Sequence, residues 1–289
     1  MPDTITLDAP KTSTAAVTEF VPAYRFIEFV SVASHVGKST LADFTKQLLA
    51  QFGIPIRFIR IESKAARSRQ SGDVVHIDTE NFAAAARLAG AEAAVLRPVF
   101  EIMEQAALDE ARQVIVLDWG GGLSQLRAQI YAATQFDAQL SDLGMQGLSV
   151  VTTTALTDRM AQARELIELT QDIAPGLHIA LALNRRNGAF GFVDGTEEKR
   201  VFRDLMKAAK GLPVIKVPAV AGESWQACQA AGLTMHEVIN MEPAALRRRF
   251  GSENRCLVRA FQAHVAAFWM KAESEMLQVL AGTDADPTS

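Results

Sequence analysis

Apolar and polar positions alternate between two periods along most of this chain. Phe26, Ile27, Phe29, Val30 and Val32 form a strand-like run, and Leu41, Phe44, Leu48 and Leu49 then recur at helical spacing. Gly53 stops that helix. Residues 54–62 predict a second strand, with Ile56, Phe58 and Ile61 apolar and Arg57 and Arg60 between them, a composition suited to a place nearer a sheet edge than its centre. A polar, basic loop over 63–72 leads to a short edge strand at 74–77. Two helical runs follow, about 80–88 and about 91–112, the second with Val95, Leu96, Val99, Phe100 and Met103 on its buried face. Val114 to Leu117 is unbroken apolar sequence ending in Asp118 and three glycines, as a central parallel strand would. A strand at 148–154 precedes a helix that Thr157 is expected to cap and whose inner face carries Met160, Ala163, Ile167 and Thr170. Strands at 178–184 and 213–218 complete the series.

This alternation predicts an α/β fold, a doubly wound, mostly parallel sheet flanked by helices. It divides the chain into a loose Thr-, Pro- and Ala-rich arm (1–22), the α/β domain (23–245), an amphipathic basic helix (246–280) and a tail expected to be disordered (281–289). With 289 residues and 49% hydrophobic content the core can be sizeable. A net charge of −4 gives no global basic field for nucleic acid. Two cysteines, Cys228 and Cys256, have no metal-binding spacing and fit a reduced, cytoplasmic protein. No apolar run is long enough to span a membrane, and the N-terminus lacks the pattern of a secretory signal.

The chemistry concentrates where the first strand turns into the first helix, at Gly37-Lys38-Ser39-Thr40. Strand, turn, Gly-Lys-Ser and helix is the setting of a phosphate-binding loop, in which backbone N–H groups and the helix dipole face an anion. There Lys38 would reach the β- and γ-phosphates, Ser39 would ligate Mg²⁺, and Gly37 would let the backbone approach closely. The first glycine of the full G-x-x-x-x-G-K-[ST] pattern falls on Val32. The run from Val114 to Asp118 has the Walker B form, four apolar residues and an acid. That places the Asp118 carboxylate at the C-terminal sheet edge beside Lys38, where it would hold Mg²⁺ through a water. Gly120, Gly121 and Gly122 form a turn whose N–H groups would sense a γ-phosphate.

With these two motifs the chain resembles the ParA/MinD superfamily of P-loop ATPases over roughly residues 25–240, and within it StbB-like plasmid stability and conjugation-accessory proteins. The deviant family loop K-G-G-x-G-K-[ST]-[ST] falls on Ala33-Ser34-His35-Val36-Gly37-Lys38-Ser39-Thr40. The resemblance implies ATP and Mg²⁺ as ligands, cradled by Ser34 through Thr40 with Gly120 and Gly121 as the switch. It implies that Asn184 meets the adenine edge, although Asn184 is equally placed to cap a loop, and that the backbone at Pro218 and Ala219 meets the base. It further implies a homodimer and a role in plasmid partition, stability or transfer on DNA or a DNA-bound adaptor. The chain departs from the pattern where the signature lysine is Ala33 and its two glycines are Ser34 and His35. It departs again where the Asp-x-Asp after the second strand is represented by Glu62 alone, the candidate for positioning the attacking water. These departures imply binding with slow hydrolysis, or a nucleotide-binding scaffold with little turnover. A ligase similar to dethiobiotin synthetase is a further reading, with Lys64 as its one candidate substrate lysine.

Between Leu246 and Lys271 six basic residues and one acid give a local charge of +5, and Leu257, Phe261, Val265, Phe268, Ala272 and Met276 recur at helical spacing. Such a helix either packs on the sheet with a solvated basic side or meets an anionic membrane surface, DNA or a partner protein.

Overall fold

The computed structural model describes residues 20–63, 73–77, 91–220, 224–251 and 254–282. Most of the N-terminal arm, the loop with Lys64, the helix expected at 80–88 and the tail beyond 282 lie outside the described residues.

Seven parallel strands form one sheet: β1 (Phe26–Val30), β2 (Ile56–Ser63), β3 (Asp73–Ile77), β4 (Val114–Trp119), β5 (Gly147–Thr154), β6 (His178–Asn184) and β7 (Val214–Val217). Their order across the sheet is β3-β2-β4-β1-β5-β6-β7, so the first strand made lies at the centre and the short β3 forms one edge. Both faces are covered. Along β1, Phe26 and Val30 point into one hydrophobic layer and Ile27 and Phe29 into the other, as the two-residue period of a strand requires. The first layer is closed by α2 (Ala91–Leu108), α3 (Ser124–Thr134), α4 (Phe136–Asp142), α5 (Thr157–Ile173) and α6 (Glu197–Ala208). The second is closed by α1 (Lys38–Gln51), α7 (Ser224–Ala230), α8 (Met235–Asn240), α9 (Pro243–Phe250) and α10 (Arg255–Leu280).

Several strand ends shift by one or two residues from the sequence expectation, and the helices differ from it at three places. Helix α2 stops at Leu108 rather than near 112, and Arg112 takes a left-handed backbone with φ of 51° before β4. Thr157 is the first residue of α5 and not its cap, since Leu156 holds the cap position and no side chain bonds there. The segment 246–280 is two helices rather than one. Gly251, with φ of 60°, ends α9, and the Asn254 side chain accepts a bond from Leu257 N–H to begin α10. The inner face of α10 packs Phe268 and Trp269 edge-on against Phe44 of α1.

The connection leaving β1 crosses one face through α1 towards β2. The connection leaving β4 crosses the other through α3 towards β5. Adjacent strands whose connections diverge open a crevice at their C-terminal ends, where α/β sheets place ligands.

Candidate functional site

The loop from Ser31 to Gly37 fills the crevice mouth. Ser31 donates its hydroxyl to the Ala33 carbonyl at 2.7 Å, tightening the first turn. His35 has φ of 62° and is exposed, and its carbonyl accepts from the Arg186 guanidinium at 3.4 Å. Gly37 occupies the cap position of α1 with φ of 90°, and no side chain bonds to the helix end. A β-carbon at Gly37 would overlap the Asn184 side-chain amide. Glycine is required there both for backbone conformation and for space. The first turn of α1 holds no acidic residue. Its amide groups and the positive end of the helix dipole are therefore not countered by any side chain of that turn.

Asn184, the last residue of β6, donates to the Val36 carbonyl at 2.9 Å and accepts from Arg186 N–H at 3.0 Å. It thus joins the loop to the 3-10 turn at Arg185–Asn187, the capping role left open by its sequence. On the other side, Gly121 lies against Ser34, and a β-carbon there would strike the serine hydroxyl. Gly120 donates its N–H to the Ile61 carbonyl at 2.6 Å, so the glycine turn after β4 begins hydrogen-bonded to β2.

Beside the loop is a cavity of about 730 Å³. Of the expected ligand-binding residues, His35 to Thr40, Asn184, Pro218 and Ala219 all line it. Trp225, Gln226, Gln229 and Phe268 complete it, contributed by α7 and α10 and not anticipated from the sequence. The Trp225 indole nitrogen is buried without a hydrogen-bond partner among the described residues. Glu62, Gly120, Gly121 and Ser34 lie outside this lining.

Beneath the loop the charges form a connected group. Lys38 and Asp118 are both buried, with Nζ 3.2 Å from Oδ1. The other carboxylate oxygen, Oδ2, accepts from Arg60 Nε at 3.0 Å. The same guanidinium stands 3.6 Å from Asp43 of α1 and 4.0 Å from Glu62. Burial raises the Asp43 carboxyl above its ordinary range, against the pull of Arg60. Arg57 and Arg60, which look alike in the sequence, part company here: Arg57 is exposed and Arg60 buried. A sequence signal for Arg60 exists only in retrospect, since its cross-strand neighbour on β4 is Asp118.

A triphosphate and a magnesium ion place different demands on these residues. The open helix end, the Lys38 ammonium and a cavity of nucleotide size all fit the first. The second needs an oxygen-rich donor set. Ser39 borders the cavity, but Asp118 already gives both oxygens to cations. No cluster of three or more His, Cys, Asp or Glu residues capable of holding a metal occurs among the described residues.

No protein-family model and no curated protein matches the sequence. Solved structures do match. A ParA family ATPase from Chlorobium tepidum superposes with a TM-score of 0.45 at 15% identity, over 86% of this chain and 98% of its own. The cell division ATPase MinD of Pyrococcus furiosus gives 0.45 at 15% identity, over 88% and 99%. A variant of McdA from Cyanothece in complex with ATP gives 0.37 at 14% identity, over 81% and 99%.

Proposed function

We propose that this chain is a P-loop protein that binds ATP at the β1–α1 loop and turns it over slowly, as a nucleotide switch of ParA/MinD type. The observation that carries the reading is the cradle at Gly37 to Thr40, an unopposed helix N-terminus with a lysine at its start, opening onto a cavity of about 730 Å³. Binding is then an exchange of partners at Lys38, whose ammonium leaves Asp118 for phosphate. Trp225 and Phe268 supply an apolar wall for the base. Slow turnover is supported by Glu62, the one acid at the expected strand end, which is drawn towards Arg60 and does not line the cavity. The setting we assign is plasmid partition, stability or transfer, with DNA or a DNA-bound adaptor as cargo and a homodimer as the working form. It rests on the motif resemblance.

Titration calorimetry tests the binding step. Wild-type protein should bind ATP, and Lys38→Ala should lose it while keeping its far-UV spectrum, because the phosphate charge loses its buried cation. Wild-type protein that ignores every nucleotide would end the reading. A second reading, a scaffold that binds without turnover, is favoured by Ala33, a buried apolar residue at the position of the family's lysine. Phosphate release with and without DNA separates the two.

A further inference from the structure

Arg60 is held more firmly than a surface cation. Its strand places it directly across from Asp118, with Ile59 and Leu117 as the preceding pair, so the two side chains emerge on the same sheet face. The residue is 8% exposed and Asp118 is 1% exposed. The guanidinium lies over the Phe58 ring, 5.5 Å from its centre, with Asp118 at one edge and Asp43 of α1 at another. Lys38 is the opposite case. It reaches Asp118 from the start of α1, and it also lines the cavity. A flexible four-carbon stem can swing to a phosphate, whereas a planar guanidinium gripped from several sides cannot follow it.

In a phosphate loop of ordinary composition the strand-end aspartate is an open anion, and a hydrated divalent cation satisfies it. Here a cation stays on Asp118 after Lys38 has left. A divalent ion brought to the same carboxylate would meet the charge of Arg60 and would find only Oδ1, given up by Lys38, open to it, since Oδ2 stays bonded to Arg60. We propose that Arg60 is the resident countercharge of the site, and that the chain therefore binds nucleoside triphosphate with little need of magnesium. The inference deepens the nucleotide-binding reading and rests on it.

The experiment is a calorimetric titration of full-length protein with ATP, once in excess Mg²⁺ and once in EDTA, for wild type, Arg60→Gln and Arg60→Lys. Wild-type Kd should change by less than about threefold between the two buffers. Arg60→Gln frees Asp118 Oδ2 and should make binding magnesium-dependent by about tenfold or more, with Arg60→Lys between them because it keeps the charge without the fork. A role confined to stability would lower the melting temperature of Arg60→Gln and leave the magnesium ratio at the wild-type value, and that result overturns the assignment. A wild-type Kd that weakens tenfold or more in EDTA overturns it as well, and needs no variant to fold. If nucleotide binds in neither buffer, the P-loop reading itself fails and the inference falls with it. The three failures are distinguishable from one data set.

Discussion

Gly37 combines two constraints that usually occur apart. Its left-handed backbone disfavours any side chain, and the Asn184 amide occupies the space a methyl group would need. Gly37→Ala should therefore cost about 1–3 kcal/mol of stability and move the loop from its bond to Asn184. Urea unfolding measures the first effect and ATP calorimetry the second. Asp43 gives a pH signature. Burial holds its folded-state pKa above the ordinary value, so the native state binds this proton more tightly than the unfolded chain. Stability falls as pH rises through the window between those two values, and the deficit persists above it. Asp43→Asn should accordingly raise the melting temperature near pH 7. The gain should vanish on acidification below the ordinary carboxylate range. Melting curves at a series of pH values check both halves.

At the scale of elements, β1 hides a charge inside its apolar run. Glu28 is wholly buried, bonded to the guanidinium of Arg127, to the Trp119 indole at 2.8 Å and to the Tyr131 hydroxyl at 2.7 Å. Burial, and then the Glu28 charge, push the Tyr131 hydroxyl well above the usual phenol range, so it remains a donor. Arg127 is further tied to Thr170 of α5 and Ser149 of β5. One carboxylate thus fixes Trp119 before the glycine turn and Arg127 after it, which confines any movement of that turn to the residues between. Glu28→Gln should cost about 3–5 kcal/mol, because the Arg127 charge is left buried and uncompensated. An apolar pair, Glu28→Leu with Arg127→Leu, should cost less, and chemical denaturation of both variants is the check. This network also marks the limit of what the chain discloses unfolded. Strand positions were legible because buried parallel strands are written as local apolar runs, and Gly37-Lys38-Ser39 because its elements are contiguous. Glu28 and Arg127 lie 99 positions apart, and Arg60 and Asp118 lie 58 apart. Nothing local distinguishes such arginines from solvated ones, and the α7 and α10 side of the cavity is brought in from just as far.

For the whole molecule the charge asymmetry lies at the C-terminal end. Arg247, Arg248 and Arg249 form the last turn of α9, where they also complement the helix dipole. Arg248 and Arg249 are exposed. If this surface carries DNA, replacing all three by Ala should flatten the salt dependence of DNA binding by about 0.7–0.9 per lost phosphate contact, with ATP affinity unchanged. Fluorescence anisotropy over a salt series measures the slope, and a parallel test with anionic vesicles assigns the surface to lipid if loss appears only there. No helix among the described residues is long and apolar enough to cross a membrane.

The seating of α10 has a consequence for how the protein is made. Its aromatic face covers Phe44 on α1, and the carbonyl of its last residue, Leu280, accepts from Ala23 N–H at 2.8 Å on the approach to β1. The central strand and α1 are among the earliest described parts to leave the ribosome, yet α10 is synthesised roughly two hundred residues later. At about 5–20 residues per second, Phe44 waits on the order of ten to forty seconds for its aromatic partners on α10. During that interval the nascent chain presents Phe44 without its aromatic partners, and a ribosome that stops before Arg255 releases a product in which that ring lacks the cover of Phe268 and Trp269.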